Sequence, residues 1–81
     1  MRRLRKRRAA VQHIRSTAEY RAYLWALSQG LVAPLRGPDP EELPLIPKRV
    51  WERGIQDWRF ALKEIERDTQ QLLFMRMLLT A

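Results

Sequence analysis

All five prolines of the chain fall between Pro34 and Pro47, one every two to four residues. Each removes a backbone donor and fixes its own φ, and the residue before each is pushed toward extended geometry. No helix or interior strand survives that density. The chain therefore divides around a stiff, extended connector, residues 30–47. Its apolar members Leu31, Val32, Leu35, Leu43, Leu45 and Ile46 predict that it packs onto the domain instead of hanging free.

Helical patterns flank the connector, and no internal repeat is visible. Ser16-Thr17-Ala18-Glu19 reads as a capping box with Ser16 as N-cap, opening a helix over residues 16–29. Tyr20, Tyr23, Leu24, Leu27 and Leu31 recur at helical spacing, Trp25 lies off that stripe, and Gly30 is the expected stop. Beyond the connector, Pro47 suits a first helical position. From Trp51, residues Ile55, Trp58, Leu62, Ile65, Thr69 and Leu72 follow in alternating steps of four and three. That heptad-like seam predicts one long helix over 48–79. Gly54 weakens it by about 0.8–1 kcal/mol relative to Ala, which suggests a close-packed neighbour. The fold class is all-α: a small helical hairpin with a short first helix, a Pro-rich connector and one long C-terminal helix. The first helix is expected to lie antiparallel on the long one, with Tyr20, Tyr23, Leu24 and Leu27 meeting Trp51, Ile55, Trp58 and Leu62.

Charge is unevenly distributed. Residues 1–15 hold seven cations (Arg2, Arg3, Arg5, Lys6, Arg7, Arg8, Arg15) and no acid, whereas the remaining 66 hold nine of each sign. The net charge of +7 therefore belongs to an N-terminal basic arm, residues 1–15, set before a single helical domain, residues 16–81. Such an arm seeks a polyanion and is ordinarily disordered until one holds it. Its Arg-rich, acid-free character is that of a mitochondrial presequence, although it is poor in Ser. A mitochondrial location is favoured on that ground over a nuclear or cytoplasmic one. No apolar run reaches the length of a membrane span, and no apolar region follows the basic run as in a secretory signal.

Enzyme chemistry is not expected. With no Cys and one His, the chain has neither a disulfide framework nor a thiolate or paired-His metal site. His13 stands in the basic arm, Glu41-Glu42 reads as a solvated pair in the connector, and three isolated glycines make no phosphate loop. No metal or other cofactor is implied. A core of 81 residues rarely supplies more than about 3–5 kcal/mol without staples, so the chain is expected to lean on protein partners. The end of the long helix suggests where. Leu72, Leu73, Phe74, Met75, Met77, Leu78 and Leu79 are apolar nearly all round, too much for a short hairpin to bury, and read as a protein-docking tail.

A second stripe on the long helix carries Arg49, Arg53, Gln56, Lys63 and Arg67, interrupted by Phe60. It is either a solvated face paired with Glu52, Asp57, Glu64 and Glu66, or a surface that tracks phosphates and stacks bases. Here the residues resemble a family. Lys48-Arg49-x-Trp51-x3-Ile55-x2-Trp58-Arg59-x-Ala61-Leu62 is similar to the third helix of the histone mRNA stem-loop-binding proteins (histone RNA hairpin-binding proteins). Arg15-Ser16-Thr17-x2-Tyr20-x2-Tyr23 resembles their Lys-Asn-Thr-x2-Tyr-x2-Tyr, and Asp39-Pro40 falls at their Thr-Pro. The likeness spans about residues 11–64. It implies an RNA-binding fold in which Arg49 reads a guanine, a contact suited to the bidentate guanidinium. It also implies that Arg15 and Thr17 face RNA, with His13 and Lys63 standing where the family has a base-contacting Tyr and His. Together with the arm, these residues predict a structural subunit that holds structured RNA, hairpin or ribosomal, inside a ribonucleoprotein such as an organellar ribosome. The alternative is an accessory structural subunit of a large mitochondrial membrane complex, docked through the tail without RNA.

Overall fold

A computed structural model describes residues 2–41 and 46–80, apart from the side chains of Arg2 and Arg3. Among these residues the architecture is all-α, with three helices and no strand: α1 (Arg2–Arg15), α2 (Ala18–Ser28) and α3 (Lys48–Thr80). Molecular extents of 54 × 18 × 17 Å follow from α3, whose 33 residues alone span about 50 Å.

The largest departure from expectation is α1. The basic arm is a helix of the domain, and the protein's own core holds it in place of an anionic partner. Arg, Lys, Leu and Ala are good helix formers, and Leu4, Arg7, Val11 and Ile14 recur on one side at helical spacing. Val11 and Ile14 are buried with Tyr23, Trp51, Trp58 and Leu62. Arg7, only 4% exposed, lays its guanidinium 5.0 Å from the Trp51 ring and donates to the Ile46 carbonyl at 2.6 Å. A desolvated cation over an indole face is worth about 2 kcal/mol, which helps a charge to sit in this core.

Helix ends follow local chemistry, with one correction. Thr17, not Ser16, caps α2: its hydroxyl accepts from the Tyr20 N–H at 3.3 Å and donates to the Ile14 carbonyl at 2.6 Å. Ser16 instead closes α1, donating to the His13 carbonyl at 2.6 Å. At the other end Gly30 takes φ +70°, and the pair Gly30 N–H to Leu27 and Leu31 N–H to Ala26 forms a Schellman turn. Pro47 lies one residue outside α3 and accepts its first bond, from the Trp51 N–H.

The connector packs down as expected at Val32, Leu35 and Ile46, whereas Leu31 is 50% exposed, and Leu43 and Leu45 lie outside the described residues. Tyr23 clasps it, its hydroxyl accepting from the Leu35 N–H at 2.8 Å. Helix α2 packs on α3 as expected, and the connector also runs along the start of α3, in the antiparallel sense. Gly37 presses on Trp58, Pro38 lies against Gly54, and Ile46 shares Arg7 with Trp51. A Cβ on Gly37 would come 2.6 Å from the Trp58 ring, so only glycine fits there. At Gly54 a Cβ would meet Pro38 at 3.6 Å, an ordinary contact, so the expected close neighbour exists without demanding glycine.

Helix α2 meets α3 further along. Its Tyr20 ring sits edge-on to Trp58 with centroids 6.1 Å apart, and its first turn shares a cleft with Leu62. Leu24, expected in this contact, is instead 46% exposed. The seam is buried at Trp51, Trp58, Leu62 and Thr69.

Candidate nucleic-acid interface

Two basic surfaces emerge, on different helices. Helix α1 carries no acid and exposes Arg5, Lys6, Arg8, His13 and Arg15, while Val11, Ile14 and Arg7 anchor its other side. Arg7, grouped with these cations from sequence, cannot reach a polyanion without leaving Trp51 and the Ile46 carbonyl. Arg2 and Arg3 belong to α1, but their side chains lie outside the described part. Arg8 is paired with Glu41 of the connector at 2.6 Å, both side chains more than half exposed. Pairs of that kind contribute about 0.2–1 kcal/mol and exchange readily.

The second surface is the outward side of α3. Arg49 and Arg53 are exposed there, about half a turn round the helix from Trp51, Trp58 and Leu62, and Lys63 is exposed about a third of a turn from them. Phe60 stands among them, 65% exposed. Acids interleave: Lys48 pairs with Glu52 at 3.8 Å, and Arg67 approaches Asp68 at 3.9 Å. Among the described residues no ion pair engages Arg49 or Arg53, and no hydrogen bond ties them to α1. The acidic Glu42 lies outside the described residues.

Between the two surfaces, the start of α2 brings Thr17 and Lys63 into one cleft of about 130 Å³. Arg59 lines it as well, a cation one turn before Lys63 that sequence reasoning left out; its i,i+4 relation to Lys63 was the available signal. Thr17 is half-buried and its hydroxyl is engaged as the helix cap. Glu19 faces the same cleft. Its own backbone N–H, the Thr17 hydroxyl and the charges of Lys63 and Arg59 hold its carboxyl below the ordinary carboxylate value.

Every large side chain of the tail is exposed, from Leu73 at 42% to Leu79 at 85%. No helix among the described residues is long and apolar enough to cross a membrane. No group of three His, Cys, Asp or Glu among them could hold a metal ion. Neither a family model, nor a curated protein, nor a solved structure matches the chain.

Proposed function

We propose that the chain is an RNA-binding structural subunit that holds structured RNA within a ribonucleoprotein such as an organellar ribosome. One observation carries this reading: an acid-free helix presents Arg5, Lys6, Arg8 and Arg15 to solvent while its opposite side is locked into the core. A cationic surface fixed in this way loses no chain entropy on meeting phosphates, unlike a loose basic tail. The resemblance to the histone mRNA stem-loop-binding proteins adds Arg49 as the base-reading residue and favours a hairpin as the form of the RNA.

The test is the salt dependence of binding to a labelled RNA hairpin by the full chain. Affinity should fall steeply with salt, and the Arg5→Gln/Lys6→Gln pair should reduce the logarithmic slope by about one to two for every RNA tried. Arg49→Ala should instead narrow the gap between preferred and scrambled hairpins. Absence of binding at low salt, or affinity indifferent to salt, defeats the reading.

The exposed tail favours a second reading, an accessory subunit of a large mitochondrial complex docked by protein contacts alone. Under it, truncation after Thr69 abolishes assembly while RNA binding is absent from the start.

A further inference from the structure

The exposed cations Arg8 and Arg15 of the first basic surface also border a cleft against the connector. Helix α1 and the connector enclose an open cleft of about 580 Å³ with Arg8, Gln12 and Arg15 on one wall and residues 35–41 on the other. The three α1 side chains follow in steps of four and three, so they form one stripe, with the Cα atoms of Arg8 and Arg15 about 10 Å apart. Arg36 lines the opposite wall, which makes three arginines around one opening.

We infer that this cleft is a seat for phosphate oxyanions, and that Glu41 occupies part of it as an internal stand-in. The inference rests on the RNA reading for the source of the phosphate, a phosphodiester of the bound RNA, while the chemistry is that of any phosphate. Glu41 already places a carboxylate 2.6 Å from the Arg8 guanidinium, which marks where an anion sits. The other acid at the opening, Asp39, has turned one oxygen back on its own loop, accepting from the Glu41 N–H at 2.9 Å. Arg15 has no carboxylate within ion-pair distance among the described residues.

A phosphate suits this seat better than the carboxylate in it. It carries more acceptor oxygens, and a guanidinium fork engages two of them at once. Displacing Glu41 costs little, because both members of the pair are solvated. The far wall is held in place independently of the ligand by Tyr23 on Leu35 and Trp58 on Gly37. The cleft is therefore preorganised, and Glu41 tunes it by competing for Arg8.

The experiment measures hairpin RNA affinity of the full chain with two variants in the cleft and two outside it. Glu41→Gln should tighten binding by about three- to ten-fold, whereas Asp68→Asn, the same charge change on α3, should alter it less than about two-fold. Arg15→Gln should weaken binding about ten-fold, and Arg21→Gln on α2 about two-fold or less. Equal responses inside and outside the cleft overturn the seat and leave the RNA reading standing, since affinity would then track net charge alone. If no RNA binds, inorganic phosphate decides, titrated at constant ionic strength while the Arg8 and Arg15 side-chain Nε–H signals are followed by NMR. Selective shifts of both signals would then support a seat for free phosphate. Unmoved signals would overturn the seat, the RNA reading having already failed.

Discussion

Helix α3 offers its own control experiment, because its two ends differ in neighbours more than in helix-forming quality. From Trp51 to Thr69 it carries a seam whose members are buried or half-buried under α1, α2 and the connector. From Leu72 to Leu79 it is more apolar, yet every large side chain is exposed. Both ends are helical, since Gln, Leu, Phe, Met and Arg in the tail are acceptable helix formers without a β-branched run. Backbone hydrogen bonding thus continues past the point where the supply of covering side chains ends. Helicity is a local property here, and burial is a matter of what else the chain can bring alongside. An apolar helix end without cover is a surface that monomers rarely tolerate in water, which is why the tail is the part of this molecule most suited to a partner.

The sharpest way to break the comparison is to delete one large side chain from each end. Trp58→Ala should cost about 3–5 kcal/mol in urea denaturation followed by circular dichroism, whereas Phe74→Ala should stay within about 0.5 kcal/mol. Similar losses at both positions would mean that the tail is covered after all.

Next in size is the cover contributed by α1. Arg7→Ala removes a buried cation over Trp51 and strands the Ile46 carbonyl, so a loss of about 2–3 kcal/mol is expected. Its neighbour Arg8 makes an exposed pair with Glu41, and Arg8→Ala should cost under about 1 kcal/mol. If the two arginines prove equivalent, α1 is a loose arm and the near end of α3 loses much of its distinction.

The smallest effects concern the connector and have opposite signs. Gly37→Ala drives a methyl into the Trp58 ring and should destabilise by about 1–3 kcal/mol. Gly54→Ala fills ordinary space beside Pro38 and should stabilise by about 0.8–1 kcal/mol, raising the melting temperature. A loss at Gly54 would show that the connector sits tighter on α3 than the 3.6 Å approach implies.

Much of this fold is legible in the residues alone. The α3 seam, the Pro-dense connector and the Gly30 stop are each written in side chains whose constraint is local: period, missing donors, a left-handed φ. The departures share a different cause. Ser16 and Thr17 are adjacent and chemically alike, and the one that caps α2 depends on where α1 ends. Leu24 fits the first-helix stripe, yet it is 46% exposed and lies outside the core that Val11 and Ile14 of α1 join. Helix α1 itself is hidden by Arg7, a charge standing where an apolar residue would have completed the Leu4–Val11–Ile14 pattern. The candidate site suffers likewise. Its cations are countable from sequence, but the grouping of Arg59 with Thr17 and Lys63, or of Arg36 with Arg8 and Arg15, joins segments far apart along the chain.

Propensity, proline chemistry and charge act within a few residues. A chain written this way is therefore bound to be helical on both sides of a rigid connector, acid-free at its start and apolar at its end. Packing across the fold settles the rest: the basic start is a seated helix, Arg7 belongs to the core while Arg8 faces water, and three arginines frame one cleft. Those outcomes turn on which side chains meet at long range. A buried cation is tolerable only where an indole face and a carbonyl arrive from elsewhere to receive it.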